Sequence, residues 1–157
     1  MEGLTPEVIA SLREQCDQLR AARIERFRQD QRIGLLMHGL ARDTDQLLHS
    51  LWKAAGIPAD WALFAVGGYG RGELQPYSDV DLLLLAPEPA QPASHLPAAT
   101  IACIERFIGA CWDIGLEIGH SVRTPSQCAQ SAHDDISTMT ALLERRQLTG
   151  NRRAARL

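Results

Sequence analysis

A mixed α/β class (α+β), a small β-sheet flanked by helices, is what this sequence predicts. Three observations predict it. Apolar residues recur every three to four positions through the first third of the chain, the period of an amphipathic helix. Two short apolar runs, residues 62–66 and 80–85, then stand on either side of a glycine-rich stretch, as buried strands do. A further helical pattern and a further strand pattern follow them.

Thr5-Pro6-Glu7 is a helix start, with Thr5 as N-cap and Pro6 in the first helical position. Val8, Leu12, Cys16 and Leu19 give that helix one apolar stripe. A second helix runs through Leu35, Leu36, Leu40, Leu47, Leu48, Leu51 and Trp52 and ends at Gly56-Ile57-Pro58. The strand at 62–66 stops at Gly67-Gly68, and residues 69–78 are rich in turn formers. The strand at 80–85 leads to a loop holding Pro87, Pro89, Pro92 and Pro97, expected to close a hairpin-like pair. Residues 98–114 read as an amphipathic helix with Gly115 as its cap, and 116–122 as a third strand. Thr124-Pro125 caps a short helix, and a last helix is expected over 134–147, stopped by Gly150. Trp52, Trp61 and Trp112 sit in apolar contexts and read as core. The organisation expected is a helical segment over 1–58, a core over 59–150 truncated at its C-terminal side, and a tail over 151–157.

With 157 residues the chain suits one domain, and 45% hydrophobic with 22% charged residues is ordinary for a globular protein. The net charge of -3 argues against nucleic acid as a main partner. Local arginine clusters (Arg20, Arg23, Arg26, Arg28 and Arg32; Arg152, Arg153 and Arg156) read as solvated helix faces or a tail. Cys16, Cys103, Cys111 and Cys128 form no C-x-x-C pair, which argues against structural zinc. Cys103, Phe107 and Cys111 recur at helical spacing, as core residues do. Glu2 and the polar run after Thr5 leave no secretory signal, and no apolar stretch approaches a membrane span. These features point to a reduced, cytoplasmic protein with no membrane partner.

The chemistry gathers around the second strand. Asp79 and Asp81 are two residues apart, so strand alternation sends both carboxylates to one face. Side by side they repel each other, and a divalent cation with a taste for oxygen, Mg²⁺, relieves that repulsion. Two surface aspartates opening a strand would be the plain alternative for the pair alone. Gly67 and Gly68, however, end the neighbouring strand, where missing Cβ atoms let backbone amides approach a phosphate. Arg71 on the same turn offers a guanidinium fork to phosphate oxygens, and Ser78 adds a hydroxyl beside the acids. The stretch fits neither a P-loop nor a G-x-G-x-x-G fingerprint, since Glu73 stands where the last glycine belongs.

The run Gly67-Gly68-Tyr69-Gly70-Arg71-Gly72-Glu73-Leu74-Gln75-Pro76-Tyr77-Ser78-Asp79-Val80-Asp81, with the leucines that follow, resembles the signature of the polymerase-β-type nucleotidyltransferase superfamily. Within it, the chain is most similar to the N-terminal domain of the bifunctional protein-PII uridylyltransferase/uridylyl-removing family. Residues 116–124 and 135–146 resemble that family's next two blocks, and the likeness runs from about residue 35 to residue 150. It implies transfer of UMP from UTP to a tyrosine of the PII signalling protein, with Gly67 and Gly68 lining the triphosphate and Asp79 and Asp81 binding Mg²⁺. There are two departures. Gly68 stands where many members carry serine, and the third carboxylate of the superfamily has no fixed counterpart. Glu117 is the first choice, on the face that alternation shares with Gly119, Ser121 and Arg123; Asp134 or Asp135 is the fallback. His120, on the other face, is expected to pack or to make a structural hydrogen bond. Family members are far longer than this chain, so weak or absent turnover is expected from it alone. A different nucleotide or target, or binding without turnover, is the alternative.

Overall fold

The computed structural model describes residues 3–89 and 95–155. Two long helices open it, α1 over Pro6–Asp30 and α2 over Ile33–Ala55. Thr5 caps α1 as its sequence predicts, its hydroxyl accepting the Val8 N–H at 3.4 Å. α2 ends at Gly56 in the left-handed conformation. The α1 stripe is thinner than expected: Cys16 is its buried member, while Val8, Leu12 and Leu19 are half-buried.

Two of the arginines expected in solvent clamp this layer instead. Arg23 grips Asp43 of α2 with two bonds of 2.8 and 2.9 Å. Asp43 is buried, and a buried carboxylate without a partner would be costly. Arg20 donates to the Gly115 carbonyl at 3.2 Å, tying α1 to the turn beyond α4, the helix at Ala98–Asp113. Among the described residues Arg26 and Arg28 pair along their own helix, with Asp30 and Glu25.

Among the described residues four strands make one mixed sheet: β1 (Ala62–Ala65), β2 (Val80–Leu85), β3 (Ile118–Arg123) and β4 (Arg146–Gly150). The order is β3-β2-β1-β4. β1 is antiparallel to both β2 and β4, and β2 is parallel to β3. A parallel pair needs a crossover, and α4 supplies it. The segment from residue 86 to 97 therefore leads into that crossover; the turn joining β1 to β2 is 66–79. Pro92 of the expected proline loop lies outside the described residues.

Strand alternation gives the sheet two apolar faces. Leu63, Ala65, Val80, Leu82, Leu84 and Ile118 pack against α1, α2 and α4 in the main core. There Trp52 meets Phe107 edge-on, ring centres 5.4 Å apart, a geometry worth about 0.5–1.5 kcal/mol beyond its buried area. On the opposite face Ala62, Phe64, Leu83 and Leu85 pack with Cys128 and Leu142. Those last two come from α5 (Pro125–Asp134) and α6 (Ile136–Leu143).

Two sequence expectations fail here. The last helix stops at Leu143, and residues 146–150 form β4 rather than its final turns. Pairing with the otherwise open edge of β1 outweighs the weak local preference of Arg146-Gln147-Leu148-Thr149-Gly150. Trp112 is 51% exposed. The buried stripe of α4 runs through Ile104, Phe107, Ala110 and Cys111, and Trp112 turns away from it. Trp61 and Trp52 are buried as expected.

Candidate functional site

One end of the sheet collects chemistry from every strand. Because β1 runs against the other three, its C-terminal end lies beside the N-terminal ends of β2, β3 and β4. The backbone closes this end tightly: Val66 N–H donates to the Asp81 carbonyl at 3.1 Å, and Val80 N–H to the Glu117 carbonyl at 2.8 Å.

Asp81 alternates with Leu83 and Leu85 and so faces the α5–α6 side of the sheet. Those helices do not cover its end of β2, and the residue is exposed, as is Asp79 just ahead of the strand. The register sets Asp81 opposite Gly119. A methyl group on Gly119 would stand 2.7 Å from Asp81 Oδ1, so only glycine leaves the carboxylate its place. A methyl on Gly67 would stand 3.8 Å from Asp81 Oδ2. The carboxylate thus lies between β3 and the double-glycine turn.

Desolvation, then the neighbouring charge of Asp79, raises the Asp81 pKa above the ordinary aspartate value. Both causes disfavour the charged form of Asp81, and a cation beside it would act the other way. The donor set fits magnesium, a hard cation that takes one or two carboxylates and completes its shell with waters and substrate phosphates. Among the described residues no group of three or more His, Cys, Asp and Glu side chains gathers to hold a metal without such help.

Gly67–Gly70 forms a single helical turn, α3, entered by Gly67 at a left-handed φ of 59°. A side chain there would be strained. The turn's backbone bonds begin with Gly70 N–H to Val66 O at 3.0 Å and Arg71 N–H to Gly67 O at 3.2 Å. The amides of Gly67, Gly68 and Tyr69 therefore stand at the open N-terminal end, where a helical turn leaves N–H groups without internal partners.

An open cleft is lined by Gly68, Tyr69, Arg71, Ser78, Asp79 and Asp81. Arg71 reaches it with its fork engaged by carboxylates: Nε to Glu73 at 3.1 Å, Nη1 to Glu144 at 2.8 Å. Glu144 first and Glu73 second hold its pKa above the usual arginine value. Ser78 donates to the Gln75 carbonyl at 3.0 Å and so fixes the turn before the acids. Glu117 is exposed at the head of β3 and lines an adjoining cleft with Arg20, Tyr77 and Ser78. Asp134 and Asp135 lie at the α5–α6 junction, outside the lining of the cleft. The first accepts from Gln130, and the second caps α6 through Ser137 and Thr138. His120 is exposed on the edge strand β3 rather than packed.

Sequence reasoning missed three residues beneath the turn. Tyr69 is buried, and its hydroxyl donates to Asp45 Oδ1 at 2.6 Å. Burial, then the Asp45 charge and that bond, raise the Tyr69 pKa far above the phenol's usual value, so the hydroxyl keeps its proton. Arg146 at the head of β4 binds both Asp45 oxygens, at 2.6 and 3.1 Å. It also donates to the carbonyls of Tyr69 at 3.2 Å and Gly70 at 3.3 Å. An aromatic residue among glycines, and an acid beside the apolar stripe of α2, were the readable signals; Arg146 carried none.

Compared with known proteins, residues 48–141 match the family described as nucleotidyltransferase domain. The chain is 52% identical, over 128 residues, to the bifunctional uridylyltransferase/uridylyl-removing enzyme of Burkholderia lata, an overlap of 82% of this chain and 14% of that protein. The enzyme of the same name from Burkholderia vietnamiensis is 48% identical over 147 residues, 94% of this chain and 16% of its own length. That from Burkholderia mallei is 50% identical over 132 residues. The chain therefore spans 14–16% of the length of these curated relatives.

Proposed function

Since this chain belongs to the nucleotidyltransferase domain family, we propose that it holds the centre that transfers UMP from UTP to a tyrosine hydroxyl of the PII signalling protein, releasing pyrophosphate. The observation that carries this reading is the placement of the Asp81 carboxylate between Gly119 and the Gly67 turn. It sets an acidic cation site against open backbone amides, the two halves that a magnesium–triphosphate needs. The uridylyl group follows the names of the relatives; the PII protein and its tyrosine follow the resemblance of residues 67–85.

In this reading the amides of Gly67 and Gly68 hold the triphosphate tail, and Asp79 and Asp81 hold Mg²⁺. When bound, the metal supplies charge neutralisation at the phosphate oxygens. The incoming hydroxyl oxygen forms a bond to the α-phosphorus as the bond from that phosphorus to the bridging oxygen breaks. The electron pair leaves on pyrophosphate. Glu117, as the carboxylate, is the base we assign to take the hydroxyl proton. Positioning and charge stabilisation supply most of the acceleration in such displacements, so small shifts of these groups matter. We place the protein in the cytoplasm on the strength of these proposed substrates; among the described residues no helix is long and apolar enough to cross a membrane.

Titration calorimetry with UTP and Mg²⁺ tests the reading. The wild type should bind UTP only with the metal, and Asp79→Ala and Asp81→Ala should abolish binding while leaving the melting midpoint near its original value. Undiminished binding by either variant overturns the assignment. A thermal-shift series with UTP, CTP, ATP and GTP reads the base: stronger protection by another triphosphate would change the nucleotide while keeping the reaction class.

A further inference from the structure

The glycine turn is poorly equipped to hold its own shape. It is one helical turn long, and forming a lone turn is unfavourable, because several dihedrals are fixed for few hydrogen bonds. Three of its four residues, Gly67, Gly68 and Gly70, are glycine, which loses more conformational freedom on ordering than any other residue. Its rigidity has to come from outside.

The outside support is specific. Tyr69 is the turn's one side chain, and it is buried, with its hydroxyl on Asp45. Arg146 sits over the Tyr69 ring at 5.5 Å and binds the carbonyls at the turn's C-terminal end. Asp45 aims the guanidinium by taking two of its nitrogens. Three elements meet here: α2 through Asp45, α3 through Tyr69, and β4 through Arg146. Only a planar fork serves Asp45 and two carbonyls together; an ammonium is a single point of donation.

We propose that Arg146, aimed by Asp45, is a positioning residue for triphosphate binding: it fixes the carbonyls of Tyr69 and Gly70 so that the opposite end of the turn presents its amides to the phosphates. The proposal rests on the reading that the cleft takes a nucleoside triphosphate. A role in stability alone fits the geometry less well. The Arg146–Asp45 pair is bidentate, partly buried and shared with Tyr69, so it also contributes to folding. Stability alone would not require those carbonyls to belong to the glycine turn that borders the cleft.

The proposal predicts a split between two ligands. Asp79 and Asp81 stand on and before β2, not on the turn, so a metal ion alone should be indifferent to Arg146. The triphosphate should not be. The experiment measures Mn²⁺ binding by paramagnetic resonance and Mg²⁺–UTP binding by calorimetry, well below the melting midpoint, for wild type, Arg146→Lys, Tyr69→Phe and Asp79→Ala. Arg146→Lys should weaken Mg²⁺–UTP about tenfold, the scale of losing a charge-assisted hydrogen bond, with Mn²⁺ affinity unchanged. Tyr69→Phe keeps both carbonyl contacts and should weaken Mg²⁺–UTP less than Arg146→Lys does. Equal Mg²⁺–UTP affinity in wild type and Arg146→Lys, with Asp79→Ala still defective, overturns the proposal alone. Parallel loss of Mn²⁺ and UTP in Arg146→Lys also overturns it, since a general loosening would do that. A wild type that binds no Mg²⁺–UTP overturns the functional reading and this proposal together.

Discussion

Gly119 carries no functional group, yet the position of Asp81 depends on it. A Cβ at Gly119 would meet Asp81 Oδ1 at 2.7 Å, and the carboxylate, at the tip of a short side chain, can yield by turning away. Gly119→Ala should therefore fold, because β3 is an edge strand, the residue is half-buried, and relief is available. Forced overpacking costs about 1–3 kcal/mol, so Mg²⁺–UTP affinity should drop about tenfold or more. Calorimetry beside a thermal melt checks this; a variant with native affinity would show that the acid tolerates the methyl. The signal was partly legible. Alternation sets Gly119 on the face of Glu117, Ser121 and Arg123, but that it faces Asp81 rather than Asp79 or Leu83 is a matter of register. Register between parallel strands joined by a sixteen-residue helix is not written locally.

Elements with strong local chemistry were read closely, and those held by partners were not. Residues 80–85 formed β2 to the residue, because an apolar run with Asp81 near its head has few other uses. α5 begins at the expected Thr124-Pro125, where a full capping box forms with Gln127. β4 escaped notice because it has one large apolar residue, Leu148, and owes its state to β1. α6 shows how much a cap decides in a short helix. Eight residues long with no fully buried side chain, it begins where Asp135 accepts the Thr138 N–H at 2.7 Å and its hydroxyl at 2.6 Å. The Thr138 side chain, then its backbone, lower the Asp135 pKa. A lowered folded-state pKa gives stability that is present above the unfolded value and lost as pH falls through the folded one. Asp135→Ala should lower the melting midpoint by a few degrees at neutral pH. The gap from wild type should close in acid, below the ordinary aspartate range. Melts across a pH series check it, and a gap constant with pH would mean that the charge plays no part.

For the molecule as a whole, β1 is the hinge of the design. Its four residues are at most 1% exposed, with β2 on one edge and β4 on the other, and its end supplies the glycine turn. A chain cut after Glu144 would lose β4 and bare a hydrophobic strand edge, which is a template for pairing between chains. It should lose cooperative melting and self-associate; sedimentation velocity and calorimetry would read both. A monomer that melts like the full chain would show β4 to be dispensable. The junction beneath the turn adds something that neither sheet nor helices impose. Arg146 lies 101 residues from Asp45 and 77 from Tyr69. Synthesis delivers a protein N-terminus first, so Asp79, Asp81 and the glycines of the turn leave the ribosome well before Arg146. On the proposal made above, a chain made only as far as Glu144 has the acids and the glycine turn but not the residue that positions the turn. The order of synthesis thus predicts that triphosphate binding waits for β4 to pair with β1.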